Sequence, residues 1–400
     1  MLAGAIHAAL AAAGRRCLDA GVAATPTTGV LVRAHGAAGG IQISASHNPA
    51  EYNGLKLFSS AGRVLSAAQG GVVLDRYRSG GAGPGPPVAS TVLETTQAIP
   101  DTVEQHLALI RTTVDVARIQ ARRFRVLLDA NHGAGSVLGQ ALLGELNCDL
   151  TVVGGQPDGQ FAHQPEPTAA NLTGVLSAVR AAKVDIGFCQ DPDADRLAVV
   201  DERGHYLGEE FTLALCVDKV LAQRPGPVVT NCSTSRMSQD LAARYGVPFH
   251  RTAVGEAHVV DAMLACHAVL GGEGNGGVID PRVGLVRDSF VAMALLLDGL
   301  ARRGGTVTDL AAGLPSYTIR KAKAELAADQ VGDRLERLAR HFSTAQASSL
   351  DGLRLDWPDR WLLVRASNTE PIVRIVVEAA TPRQADQLMR QTRQALKAAH

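Results

Sequence analysis

The sequence predicts an α/β protein of three similar mixed α/β domains followed by a C-terminal α+β domain. Three observations lead there. A unit of strand, Ser/Thr/Gly-bearing loop, helix and strand recurs along the chain. The 400 residues suffice for roughly two to four domains with buried cores. The last stretch changes character to hairpin strands and a long final helix. Boundaries fall near 112, 218 and 316, which gives domains over 1–112, 113–218, 219–316 and 317–400.

In order, the first domain opens on a helix over residues 2–20 followed by Gly21-Val22, with no strand before it. Ile41 and Ile43 then alternate with polar residues as a strand does, and Asn48-Pro49 stops it. Pro49 biases Asn48 away from helix and Asn53-Gly54 makes a second turn, so the loop doubles back and brings Lys56 towards His47. Residues 80–87 are a Gly/Pro-rich loop inside this domain, because apolar patterns resume after it. The second domain repeats the unit with a strand over 125–129, a helix over 136–146 and a strand over 150–153. A third copy runs through a strand at 227–230, a helix at 235–245 and a strand at 247–249. The C-terminal domain carries hairpin strands 353–355 and 361–365, a strand at 372–378 and a helix at 382–398.

Thirty-nine basic residues balance thirty-nine acidic ones, so the chain carries no charge excess for a nucleic-acid or anionic-membrane partner. Its six cysteines, at 17, 148, 189, 216, 232 and 266, form no metal-type pair and suit reduced thiols in a cytoplasm. The Ala-rich start carries His7 and Arg15-Arg16, unlike a signal peptide, and no apolar run reaches membrane-spanning length.

Four segments carry chemistry. The first places a hydroxyl, an imidazole and an amine in one loop at Ser46, His47 and Lys56. A Ser-His pair at a strand end is most often turn chemistry. Only six of the basic residues are lysines, however, and position 56 keeps an amine that, unlike a guanidinium, gives up a proton when desolvated. Lys56 as an ordinary surface lysine stays open.

The second segment sets Asp191, Asp193 and Asp195 at every second position of a turn between two apolar strands. Three such carboxylates repel one another unless a cation lies between them, and oxygen-only ligation favours Mg²⁺, Mn²⁺ or Ca²⁺. A helix-loop-helix calcium loop would need glycine where Arg196 stands and helices where strands flank it. A metal-free acidic hairpin is the other reading, and Arg196, placed to hold a phosphoryl oxygen, argues against it.

The third segment spans 365–374 and offers Arg365, Ser367, Asn368, Thr369 and Arg374 around a run of turn amides, donors suited to a phosphate dianion; an ordinary hairpin with a polar tip is the alternative. In the fourth, glycines from 271 to 277 let backbone approach a ligand and Glu273 can accept two sugar hydroxyls, although most glycine-rich segments are flexible turns. This loop fits neither a nucleotide P-loop nor the dinucleotide fingerprint.

In this order and spacing the four segments resemble the α-D-phosphohexomutases, the superfamily of phosphoglucosamine mutase, phosphomannomutase and phosphoglucomutase. Its phosphoserine loop, Ser-Ala-Ser-His-Asn-Pro then Asn-Gly-x-Lys, matches 44–49 and 53–56. Its metal loop, Asp-x-Asp-x-Asp-Arg, matches 191–196, its sugar loop, Gly-Glu-x-x-Gly, matches 272–276, and its phosphate loop matches 365–371. The resemblance implies a C-terminal domain of TBP-like fold and four domains around a central cleft. It implies that Ser46 is phosphorylated and that His47 and Lys56 serve proton transfer, with Arg196 beside them. One Mg²⁺ per chain would be held by Asp191, Asp193, Asp195 and a phosphoserine oxygen. Arg251 matches a basic residue at the cleft mouth, Glu273 and Asn275 would read the sugar, and Arg365, Ser367, Asn368, Thr369 and Arg374 the non-reacting phosphate.

The implied reaction interconverts hexose 6-phosphate and hexose 1-phosphate through a bisphosphorylated sugar, with hexose bisphosphate as activator, in a monomer or homodimer. The partners are small-molecule sugar phosphates. The glycine-rich sugar loop leans towards phosphoglucosamine mutases of archaeal or mixed-specificity type. Phosphomannomutase or phosphoglucomutase, a catalytically silent sugar-phosphate-binding relative and a phosphoserine-phosphatase-like hydrolase are the alternatives.

The start departs from the family. Relatives open with a strand carrying Gly-Thr-x-Gly-x-Arg-Gly and a second ending in Gly-Arg-Asp, and neither stands here. The expectation is a first domain lacking its N-terminal strands and a phosphate-binding arginine, in a chain that begins too late and is less soluble and active than a form extended upstream.

Overall fold

The structure is a computed structural model that describes residues 1–49, 51–80, 96–367 and 371–397. The chain divides into two compact units, one of Met1–Thr212 with Gly276–Thr308, the other of Leu213–Asn275 with Asp309–His400.

The first unit is built on a four-stranded sheet in the order Asp149–Val153, Arg125–Asp129, Ile186–Gln190, Leu197–Val200. The first three are parallel and the last runs antiparallel to its neighbour. Both Ile186–Gln190 and Leu197–Val200 are buried throughout, which is why they read as continuous apolar runs. Parallel neighbours need crossovers, supplied by helices Gly135–Glu145 and Thr173–Ala182. Helix Ser289–Arg303 is mostly apolar and buried from Ser289 to Leu300, with the buried Asp298 ion-paired to Arg118, and the Asp288 carboxylate caps it by accepting from the amides of Phe290 (2.9 Å) and Val291 (3.1 Å).

Closer to the start, Gly39–Ile43 and Leu55–Ser59 form an antiparallel pair with Gln42 opposite Lys56, so the loop between them doubles back as its turn residues predict. Helix Thr25–Ala34, with Pro26 in its first turn, is largely buried. The helix expected over 2–20 is shorter: it ends at Ala12, Gly14 takes φ 68°, and Leu18–Asp19 pairs in parallel with Gln97–Ala98. The Ala-rich composition extends the helical reading past a glycine that stops it. Most of the loop expected at 80–87 lies outside the described residues.

In the second unit, Phe249–Thr252, Val228–Asn231 and Leu270–Glu273 pair in parallel. The helix expected at 235–245 covers Met237–Arg244, and the strand expected at 247–249 begins at Phe249, since Pro248 has no amide to give the ladder. The C-terminal sheet has five antiparallel strands in the order Thr318–Glu325, Ile372–Ala379, Arg360–Ala366, Leu353–Asp356, Gln346–Ser348. Helices Val331–His341 and Pro382–Lys397 cover one face, with Leu338, Leu355, Leu362, Val364, Ile375, Val377 and Leu388 in the core between. On the opposite face Trp361, Leu363 and Val376 pack against Cys232 and Val254. Among the described residues no helix is long and apolar enough to cross a membrane.

Candidate active site

The first unit brings the first two motifs together. Strands Ile186–Gln190 and Leu197–Val200 pair with Gln190 opposite Leu197, so the six residues between them close in a tight turn. Ala194 adopts φ 58° in that turn, and Gly133 lies so near that a Cβ on it would sit 2.4 Å from the Pro192 carbonyl. The curl converges the carboxylates of Asp191, Asp193 and Asp195 until one oxygen of each lies within 4.8 Å of the others, all three residues buried.

Cations surround this charge. Lys56 Nζ donates to Asp193 Oδ2 (2.6 Å) and to Asp195 Oδ2 (2.8 Å), and Arg287 Nη2 donates to the same Asp195 oxygen (2.6 Å). The Thr25 hydroxyl also donates to Asp193 Oδ2, at 2.5 Å. The other oxygens, Oδ1 of Asp193 and Oδ1 of Asp195, are buried without a hydrogen-bond partner among the described residues. Two orphaned buried carboxylate oxygens beside a third carboxylate are a donor set that fits a hard divalent cation. Arg196 flanks the turn, its amide donating to Asp191 Oδ1 (3.0 Å) and its Nε 3.8 Å from Asp195 Oδ1.

Ser46 stands at the rim. Its hydroxyl donates to Asp191 Oδ2 (3.2 Å) and lies 3.2 Å from His47 Nδ1. Its backbone is left-handed, φ 52°, and its amide donates to the Ser44 hydroxyl (2.8 Å). Burial, helped by the charges of Arg196 and Arg287, lowers the His47 pKa from 6.5 to about 4, so the imidazole is neutral and has a lone pair to offer. Burial pulls the Lys56 amine down, but Asp195 and Asp193 outweigh it and raise the pKa, keeping an ammonium. Burial and the two neighbouring carboxylates push Asp191 well up. Asp195 is held low, because Arg287, Lys56 and Arg196 overcome the cost of burial.

Several of these neighbours escape sequence reasoning. Arg287 is far from the aspartates in sequence, and its signal is its place before Asp288, the cap of an apolar helix. Glu166 approaches both His47 Nε2 (3.8 Å) and Arg196 Nη1 (3.9 Å). His106, fully buried, joins Asp288 Oδ2 (Nε2, 2.7 Å) to the Thr27 hydroxyl (Nδ1, 3.0 Å), and thereby ties the helix that carries Thr25 to the segment that carries Arg287.

The other two motifs lie in the second unit. Glu273 is buried, and its Oε1 accepts from Asn231 Nδ2 (2.7 Å) and the Gly255 amide (3.1 Å), while Asn275 Nδ2 lies 3.4 Å from Oε2. The Thr234 hydroxyl accepts from the Gly274 amide at 2.9 Å. Arg251 donates to Gln239 Oε1 (2.7 Å) and Asp356 Oδ2 (3.3 Å), and burial lowers its pKa. Arg365 and Arg374 stand directly opposite each other on paired strands, and Lys323 stands opposite Arg374 on the other side. Facing like charges cost stability, which an anion seated over them offsets. Ser367 donates its amide to the Ile372 carbonyl (2.9 Å), whereas Asn368 and Thr369 lie outside the described residues.

Comparison with known proteins agrees with these motifs. Four family descriptions match in chain order: Phosphoglucomutase/phosphomannomutase alpha/beta/alpha domain I over residues 1–80, domain II over 104–204, domain III over 209–317, and the C-terminal domain over 321–395. A phosphoglucomutase/phosphomannomutase of Thermococcus kodakarensis is 36% identical over 392 residues, covering 96% of this chain and 84% of its own. A protein named probable phosphoglucosamine mutase, from Methanopyrus kandleri, is 32% identical over 392 residues, covering 97% of this chain and 85% of its own. Among solved structures, a phosphoglucomutase/phosphomannomutase family protein of Burkholderia thailandensis superposes with a TM-score of 0.81 at 26% identity, covering 99% of this chain and 86% of that one. With four domain matches in order and a relative 36% identical over 96% of this chain, the chain belongs to the phosphoglucomutase/phosphomannomutase family and is a phosphohexomutase, an isomerase.

Proposed function

We propose that the protein interconverts hexose 6-phosphate and hexose 1-phosphate through a phosphoryl group carried on Ser46, with glucosamine phosphate as its preferred sugar. The observation that carries the reading is the Ser46 hydroxyl 3.2 Å from both Asp191 Oδ2 and His47 Nδ1, at the rim of a carboxylate cluster with orphaned oxygens. Asp191, Asp193 and Asp195 would hold Mg²⁺, which when bound offsets negative charge on the phosphoryl group in transfer.

The chain's own residues do the rest. Phosphorylated Ser46 loses its P–O bond as a sugar hydroxyl oxygen bonds to phosphorus, that hydroxyl's proton passes to the neutral His47 imidazole, and the imidazole, 3.2 Å from the serine oxygen, returns a proton to it as it leaves. Arg196 and the Lys56 ammonium hold phosphoryl oxygens, a role that fits a lysine kept charged by two carboxylates. The bisphosphorylated sugar reorients and returns its other phosphate to Ser46, so hexose bisphosphate, which can phosphorylate a bare serine, acts as activator. Glu273 and Asn275 read the ring, Arg251 helps to hold the sugar phosphate, and Arg365, Ser367, Asn368, Thr369 and Arg374 hold the non-reacting phosphate.

Glucosamine is favoured by the glycine-rich sugar loop and by the Methanopyrus relative's name. The Thermococcus relative's name supports a second reading, phosphoglucomutase/phosphomannomutase. Six cysteines outside any disulfide suit a reducing cytoplasm. An assay of glucosamine, glucose and mannose 1-phosphates that scores isomerised and free phosphate separately tests all of this: isomerisation fastest with glucosamine supports the proposal, and release of free phosphate alone would overturn it.

A further inference from the structure

We infer that Asp351 is a positioning residue that sets the spacing between the phosphate-holding Arg365 and the turn that orients the sugar-reading Glu273, an inference that rests on the roles proposed above for those two residues. One oxygen, Asp351 Oδ2, makes both connections. It forms an ion pair with Arg365 Nε at 3.0 Å and accepts from the Val254 amide at 3.0 Å. The next amide along, that of Gly255, donates to Glu273 Oε1 at 3.1 Å. A single carboxylate thus connects the phosphate arginine, through two consecutive backbone amides, to the sugar carboxylate.

The local backbone is built for this contact. Gly352 follows at φ 74°, and a Cβ there would lie 2.3 Å from the Val364 carbonyl oxygen and 2.8 Å from Arg365 Cα, so only glycine lets the loop press against the strand beside Arg365. The side chains of Asp351 and Arg365 are 19% and 18% exposed, which shields the pair from much solvent screening. Asp351 also supplies a negative charge beside Arg365, which must stand opposite Arg374 in the sheet. Asp351 Oδ2 stands 3.0 Å from Nε as an ion pair without hydrogen-bond geometry, so its charge draws the guanidinium towards the Val254 turn before substrate arrives, and preorganisation of this kind acts on binding more than on transfer at Ser46.

The test compares Asp351→Ala, Asp351→Asn, Arg365→Ala and the Asp351→Ala/Arg365→Ala double variant, on whichever hexose 6-phosphate the wild type turns over best, with inorganic phosphate as competitive inhibitor. Asp351→Ala should raise KM about tenfold and leave kcat within about twofold, and Asp351→Asn, which keeps an acceptor for the Val254 amide, should fall between it and wild type. The inhibition constant of inorganic phosphate, which uses the arginines but not the spacing, should move less than about threefold. Removing Asp351 from the Arg365→Ala background should add almost nothing. Multiplying effects in the double variant, or a loss confined to kcat, overturns the inference. So does an inert Asp351→Ala beside a damaging Arg365→Ala, whereas an inert Arg365→Ala overturns the phosphate-site reading beneath it. Thermal melting of Asp351→Asn within about 2 °C of wild type separates positioning from lost stability.

Discussion

The aspartate turn of the first unit and the sugar and phosphate loops of the second handle charge in opposite ways. The turn crowds three buried carboxylates together and leaves two of their oxygens without a hydrogen-bond partner among the described residues, even with Lys56, Arg287 and Thr25 alongside. The loops commit their functional groups in advance: Glu273 holds Asn231 and the Gly255 amide, Arg251 holds Gln239 and Asp356, and Arg365 pairs with Asp351. On the roles proposed above, the difference teaches that the transfer site would be completed by what it binds, while the groups that would recognise substrate already hold partners. Changes in the first should therefore appear in kcat and in cation response, and changes in the second in KM.

The largest expected effect is Ser46→Ala, which should remove one phosphoryl group from the intact mass and lower turnover at least about 10³-fold even with hexose bisphosphate supplied. Full activity in that variant would move the chemistry elsewhere. Next is Asp193→Asn, expected to lower turnover about 10²-fold and to abolish the rise in melting temperature that Mg²⁺ gives the wild type. An equal Mg²⁺ shift in both proteins would break the idea of an incomplete cluster. Glu273→Gln should be milder, raising KM for every accepted hexose phosphate about tenfold with kcat nearly kept, and a fall in kcat alone would erase the contrast between the units.

The smallest effect concerns His47. Its folded pKa of about 4 lies below the ordinary 6.5, so the folded protein binds fewer protons between those values than the unfolded chain does. The stability it contributes is complete above pH 6.5 and is lost as pH falls towards 4. NMR titration should place the imidazole transition near 4, and His47→Ala should flatten that part of the unfolding profile. A transition near 6.5 would mean that burial and Arg196 do not govern the ring.

Much of this was legible in the sequence. The aspartates announced themselves because alternate spacing in a turn between two apolar runs puts them on one side if extended and together if curled, and Asn48-Pro49 with Asn53-Gly54 encode the reversal that delivers Lys56. Arg287, Thr25 and His106 were not legible, since their contacts join segments 92, 168 and 182 residues apart, and the one local signal, the Asp288 helix cap beside Arg287, does not point to the aspartates. Strand Thr318–Glu325 was missed for a related reason. It alternates Lys and Ala, a pattern of poor strand propensity, and exists by pairing along its whole length with Ile372–Ala379. The helix expected to reach residue 20 shows the converse error, where composition prevailed over a single glycine.

The left-handed backbone of Ser46 also bears on which amino acids the position can hold. Threonine offers the same hydroxyl, but a β-branched residue at φ 52° is a steric outlier, and the added methyl would favour moving the chain out of that conformation. The hydroxyl would then leave Asp191 and His47. Cysteine fits the backbone better yet carries a sulfur that binds hard cations poorly. On the role proposed for Ser46, chain geometry and cation preference together would confine the phosphoryl carrier to serine, making this position far less substitutable than the chemistry of a hydroxyl alone would require.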